Sequence, residues 1–190
     1  MKTGLFFGSF NPVHIGHMAI ANFIIEFSEL ERIWFVVSSQ NPLKKKKSLL
    51  ADYHRLELLN LAIDDDLRFR VCDIELKLPR PSYTIDTLAH LKEKYPDNEF
   101  SIIMGSDGLG SFDKWKNYKE IIKTTHRYVY PRPKVDLTNN LFLENCTFVN
   151  APQMDISSTF IRESLKNDHD IRHFLPLKVY QYMKEMHFYE

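Results

Sequence analysis

The stretch TGLFFGSFNPVHIGHM, residues Thr3 to Met18, sets the reading of the whole chain. Leu5, Phe6 and Phe7 make a short apolar run. A loop with Gly8, Ser9, Phe10, Asn11 and Pro12 bends the backbone, and His14-Ile15-Gly16-His17 arrives at the start of an apolar-periodic segment. That order is strand, tight loop, helix N-terminus. Such a junction suits an anion, because the first turn of a helix leaves N–H groups unpaired and carries the positive end of the dipole. Two imidazoles stand there as well.

Outward from this unit the same rhythm repeats. Gly16 to Glu29 places Met18, Ile20, Ala21, Ile24, Ile25 and Phe27 on one broad helical face, and Ile33 to Val37 reads as a buried strand. A polar segment from Ser38 to Ser48 holds Asn41-Pro42 and the lysines Lys44 to Lys47. Ala51 to Ile63 has helical spacing, and Leu67 to Val71, extending toward Ile74, reads as a third strand. Pro79-Arg80-Pro81 breaks the chain, Ser82 is placed to cap a helix from Tyr83 to Lys94, and Ile85, Leu88, Ala89 and Leu91 form its inner side. Strands are expected at Phe100 to Met104, Arg127 to Tyr130 and Thr147 to Val149, with helices starting near Asp155 and Pro176. Strands alternating with helices imply an α/β fold: a Rossmann-like, doubly wound parallel sheet with helices on both faces. Ligands in such sheets sit at the carboxyl ends of the strands.

The chain has 190 residues, enough for one well-buried domain, which is expected to span 1–190. Lys plus Arg and Asp plus Glu both number 25, so no global field draws it onto nucleic acid or an anionic membrane. Any anion site must be local. Cys72 and Cys146 lie far apart in strand-like runs and read as buried free thiols in a reducing compartment. No apolar run approaches the ~18 residues of a membrane span, and no signal segment is visible, so a cytoplasmic location is expected.

His14 and His17 admit three readings: ordinary polar residues at a helix start, a metal pair, or paired N–H donors to a phosphate. No Glu follows His14 as in HExxH and no third ligand stands at metal spacing, so no metal-ligating set is expected. His169 and His173, four apart in a polar connection, do not read as one either. The loop is neither GxGxxG nor GxxxxGK[ST]. A second constellation, Ile156-Ser157-Ser158-Thr159-Phe160-Ile161-Arg162, offers capping hydroxyls, helix-start N–H groups and a guanidinium one turn on. Two such helix starts could grip one triphosphate from opposite sides.

With both stretches quoted, the chain resembles the nicotinate-nucleotide adenylyltransferases of the nucleotidylyltransferase superfamily, whose marks are an HxGH loop and a late ISSTxIR segment. The resemblance covers nearly the whole length. Class I aminoacyl-tRNA synthetases share the His-Ile-Gly-His signature, but this chain is short for them and has no KMSKS-like loop. The resemblance implies adenylyl transfer from ATP, with Mg²⁺ carried on its phosphates, to nicotinate mononucleotide. Alternatives are nicotinamide mononucleotide or phosphopantetheine as acceptor, or a nucleotide-binding module without catalysis. His14, His17, Lys44 and Arg162 are then the expected catalytic set. Gly8, Ser9, Phe10, Gly16, Gly105, Asp107, Ile156, Ser157, Ser158 and Thr159 would hold ATP, with residues 156–190 a helical part completing that site. Arg55 is a weaker candidate on the phosphate side. A homo-oligomer is compatible with all of this.

For the acceptor, the same resemblance points to Asn11, Ser82, Tyr83, Thr84, Trp115 and Arg132. A nicotinate carboxylate can take the N–H groups near Tyr83 and Thr84 without a lysine. Trp115 either stacks on the pyridinium or packs between Phe112 and Tyr118. Asn11 stands where the family often has Asp, and Lys134 where Gly is common.

Overall fold

The computed structural model describes residues 1–39, 49–132 and 142–189. Lys44 and the lysine run around it lie outside the described residues. Among the described residues six strands form one sheet: β1 (Lys2–Gly8), β2 (Arg32–Val37), β3 (Phe69–Cys72), β4 (Glu99–Gly105), β5 (Arg127–Tyr130) and β6 (Cys146–Phe148). Their spatial order is β3-β2-β1-β4-β5-β6, and every pairing is parallel. The chain therefore winds one way from β1 to β3, returns to the middle, and winds the other way from β4. The turning point lies between β1 and β4, with Phe6 beside Ile103 in the register. Loops leaving these two strands diverge and open a crevice.

The burial of the strands follows from helices on both faces. Leu5 and Trp34 belong to one apolar cluster, Phe6 and Phe35 to the other, so alternate residues of one strand feed opposite layers. Helices α1 (Ile15–Phe27) and α2 (Asp52–Ile63) follow β1 and β2, and a single turn, α3 (Ile74–Lys77), leads toward α4 (Thr84–Lys94). After β4 comes a 3-10 segment, Ser106–Lys114, broken at Ser111, and then α5 (Tyr118–Thr124). The chain closes with α6 (Ser158–Lys166), a 3-10 turn at Arg172–Phe174 and α7 (Leu177–Glu185). Val179, Met183 and Phe188 join the same cluster as Phe6 and Ile20, which docks the last helix onto the main core. His54 on α2 also meets the Tyr182 hydroxyl on α7 at 3.1 Å.

Several details differ from expectation. Ile74 does not extend β3 but opens α3, because the chain turns at Asp73 to bury Glu75. Leu67 precedes the strand and is exposed, as is Phe27 at the end of α1, where it stacks on Phe23 instead of entering the core. Ala89 faces solvent, since Thr87 and Leu88 take the inner positions of α4. Cys72 is buried, but Cys146 on the edge strand is only half-buried. Among the described residues no helix is long and apolar enough to cross a membrane.

Candidate active site

A cleft of about 450 Å³ opens at the carboxyl ends of β1 and β4, the turning point of the sheet. Gly8, Ser9, Gly105, Asp107, Ser82, Tyr83, Thr84, Trp115 and Arg132, drawn from both halves of the sheet, line it. The structure thus brings the β1 loop and most of the expected acceptor residues to one cavity.

At the rim of β1 the backbone is held tightly. Phe10 has φ of 43°, a left-handed conformation uncommon outside glycine, and its ring is buried. A Cβ at Gly8 would lie 2.8 Å from that ring, so only glycine lets the strand end so close to it. Arg55 fixes the same corner. It is fully buried and donates to the carbonyls of Ser9 and Ser38, each at 2.8 Å, and to Asp52 at 2.5 Å. Arg55 is therefore not a phosphate-side residue; it pins the ends of β1 and β2 together.

His14 is the N-cap residue of α1, in extended conformation. Its N–H donates to Nδ1 of His17 at 3.2 Å, and the two rings lie against each other, tilted by 34°, with centroids 3.8 Å apart. An Nδ1 that accepts a hydrogen bond carries no proton, so neutral His17 holds its proton on Nε2 as a donor. Phe6 and Phe10 flank the His17 ring at 6.1 and 5.1 Å. His14 is buried, and burial with the nearby Arg132 charge pushes its pKa down to about 4. It is neutral at pH 7. Among the described residues its Nδ1 has no hydrogen-bond partner, a cost of about 1–3 kcal/mol that folds tolerate chiefly at functional sites. Gly16 leaves room beneath it: a Cβ there would stand 3.0 Å from that Nδ1, so the ring would have to give by a few tenths of an ångström.

The late segment meets this loop directly. Ser157 caps α6 by accepting from the N–H of Phe160 at 3.1 Å. Ser158 donates to the carbonyl of Pro12 at 2.9 Å, and Arg162 donates to the carbonyl of Asn11 at 2.7 Å and to Thr159 at 3.2 Å. Ile156 reaches the other side of Gly16: its Cβ would be 3.8 Å from a Cβ placed there. Two helix starts, α1 and α6, therefore share one loop. Asn11 itself is placed elsewhere than expected. It is buried, and its side-chain oxygen accepts from the Leu50 N–H at 3.0 Å and the Tyr189 hydroxyl at 2.6 Å, so it braces the loop and does not line the cleft.

On the acceptor side, Tyr83 and not Ser82 is the residue before α4. The Ser82 hydroxyl points inward and donates to Glu75 at 3.1 Å, and Thr87 donates to the other oxygen of Glu75 at 2.9 Å. Glu75 is buried on the cleft wall, and burial raises its pKa against the opposing effect of these hydroxyls. Sequence reasoning missed it. The only signal was an acid inside an apolar run, Ile74-Glu75-Leu76, following a strand. Trp115 lies half-buried on the wall, tilted against Phe112 with centroids 4.9 Å apart, and Phe112 rests on the guanidinium of Arg127 at 4.8 Å. Gly105 allows Asp107 to fold back, since a Cβ there would meet its carboxylate. Asp107 faces Arg132 at 3.9 Å, and Arg132 also donates to the Tyr130 hydroxyl at 3.1 Å.

The chain is similar to known proteins over most of its length. Residues 5–164 match the cytidylyltransferase-like family. The chain is 51% identical over its full length, and that of the relative, to a Flavobacterium psychrophilum protein described as a probable nicotinate-nucleotide adenylyltransferase. It is 48% identical to one of the same description from Bacteroides thetaiotaomicron, over 97% of this chain and 92% of that one. Among solved structures, Plasmodium falciparum nicotinic acid mononucleotide adenylyltransferase complexed with NaAD superposes with a TM-score of 0.80 at 21% identity, covering 99% of this chain and 97% of the other. That likeness shows the fold.

Proposed function

The chain belongs to the cytidylyltransferase-like family and, within it, to the nicotinate-nucleotide adenylyltransferases, and from there we propose that it joins nicotinate mononucleotide to the adenylyl group of ATP, giving deamido-NAD and pyrophosphate. The observation that supports this most is the clasp between the two motifs. Arg162 and Ser158 hold the carbonyls of Asn11 and Pro12 immediately before His14, which sets both helix starts against the same loop. A triphosphate lying there meets N–H donors from two sides.

The reaction forms a bond between an oxygen of the mononucleotide's 5′-phosphate and the α-phosphorus, and breaks the bond from that phosphorus to the bridging oxygen toward the β-phosphate. The electron pair leaves with pyrophosphate. Because the attacking phosphate is already an anion, no general base is needed, and catalysis consists of alignment and of stabilising charge on the transferring and leaving groups. His17, with Nε2 as donor, and neutral His14 supply hydrogen bonds to the phosphate oxygens. Arg162 supplies positive charge to the β and γ groups, beside the capping hydroxyls of Ser157 and Ser158 and the loop of Gly8, Ser9 and Phe10. Lys44 belongs to the same proposal. Gly105 and Asp107, which line the cleft at the end of β4, are assigned to the adenosine ribose in this proposal.

Mg²⁺ fits this site as a passenger on ATP. Among the described residues no group of three His, Cys, Asp or Glu side chains gathers to hold a metal. Carried on ATP, it would neutralise charge on the leaving group alongside the positive charge of Arg162.

The acceptor pocket is the part of the cleft lined by Ser82, Tyr83, Thr84 and Trp115. Its pyridinium stacks on the indole, and its carboxylate takes the free N–H groups of the first turn of α4. Pyrophosphate release from Mg-ATP, measured in parallel with nicotinate mononucleotide, nicotinamide mononucleotide and phosphopantetheine, tests the assignment. Highest kcat/KM with the nicotinate form is expected. Absence of turnover with either pyridine mononucleotide would overturn it.

A further inference from the structure

Lys116 follows Trp115 directly and also lines the cleft. Its ammonium lies 4.9 Å from the centre of the Tyr83 ring and bonds both oxygens of Asp86, at 2.8 and 3.1 Å. Asp86 is the acid in the first turn of α4, the turn whose N–H groups start at Tyr83 and Thr84. An acid there stabilises the helix, but it also places a negative charge beside the point where an anionic ligand would dock. Lys116 cancels that charge from the opposite wall. Because the 3-10 segment that ends at Lys114 carries Trp115 and Lys116 together across from α4, the residue placed to stack on the pyridine ring and the residue that neutralises Asp86 are adjacent.

Building on the acceptor reading above, we propose that the Lys116–Asp86 pair sets the preference for a carboxylate over an amide on the pyridine ring. Lys116 need not touch the substrate. It keeps Asp86 from repelling a carboxylate at the start of α4, whereas a neutral amide is indifferent to that charge. Glu75, an acid of the cleft wall, is buried and accepts from the hydroxyls of Ser82 and Thr87. Asp107, the exposed acid of the cleft lining, faces Arg132 instead, so the acid that Lys116 neutralises is Asp86.

The test is a double-mutant cycle read as kcat/KM for each acceptor at saturating Mg-ATP. Lys116→Met should lower kcat/KM for nicotinate mononucleotide about tenfold, the effect of one uncancelled charge at a few ångströms near solvent, while nicotinamide mononucleotide changes less than about twofold. Lys116→Met combined with Asp86→Asn should restore the nicotinate value to within about threefold of wild type. Equal losses on both acceptors, or no recovery in the double variant, would overturn the proposal while leaving adenylyl transfer intact. A wild-type enzyme that turns over neither mononucleotide would overturn the acceptor reading and this inference together.

Discussion

Nη1 of Arg162 donates to the backbone carbonyl of Asn11 at 2.7 Å, joining residues 151 apart in the chain. The bond makes the late helix part of the loop that carries His14. It also orients the guanidinium plane, since a second nitrogen is held by Thr159 at 3.2 Å. Lysine offers one rotating point charge and cannot make this planar contact. Arg162→Lys is therefore expected to lower kcat/KM for ATP on the order of 100-fold, the scale of losing one transition-state donor, while Tm shifts by no more than about 4 °C. Steady-state kinetics beside a thermal melt check this. An unaffected kcat/KM would show that position alone, not geometry, is what the site requires.

Gly16 makes a second prediction. A methyl group at this position would stand 3.0 Å from Nδ1 of His14 and 3.1 Å from its Cε1, with the ring already lying against His17. Gly16→Ala should displace both imidazoles and lower kcat about tenfold or more, even though alanine is the better helix former by about 1 kcal/mol. Activity that falls with no loss of stability is the expected pattern. Unchanged kcat would mean the rings are free to move without consequence.

Glu75 gives a third. Its two oxygens accept from Ser82 and Thr87 and so fix the turn into α4. In Glu75→Gln one of those oxygens becomes an N–H₂ group facing a hydroxyl, which must turn around or go unpaired. The KM for nicotinate mononucleotide should rise about tenfold, equivalent to roughly 1.4 kcal/mol, with the KM for ATP unchanged. Equal effects on both substrates would assign Glu75 to general stability instead.

The order of the sheet was legible because each strand run is followed by a helical period, and Arg127 to Tyr130 even matches β5 residue for residue. The starts of α1 and α6 were legible because Ser157 has the chemistry of a cap and His14 stands just ahead of an apolar-periodic run. The acceptor wall was less so. Ser82 has the chemistry of a cap, but a buried carboxylate seven residues earlier draws its hydroxyl inward, and no local pattern predicts that partner. Arg55 and Asn11 looked like ligands for the same reason: residue type is visible in a sequence, while the carbonyls and the Tyr189 hydroxyl that engage them are distant in it.

His14 makes a prediction about pH. An unfolded imidazole titrates near ~6.5, and in the fold burial, with the Arg132 charge second, lowers His14 to about 4. The folded chain binds this proton less readily than the unfolded one. Stability from keeping His14 neutral is thus complete above the unfolded value and is lost as pH falls from there through about 4, by on the order of 3 kcal/mol at most. Urea unfolding at pH 7 and pH 4 should show a smaller loss in His14→Gln than in wild type. Identical losses would mean that His14 titrates normally.

The most direct test follows the α-phosphorus. ATP labelled at that atom is incubated with the enzyme, Mg²⁺ and nicotinate mononucleotide, and the products are separated. Adenylyl transfer predicts that the label appears in the dinucleotide, matched mole for mole by unlabelled pyrophosphate. Label found in free AMP or ADP, with no dinucleotide formed, would contradict it.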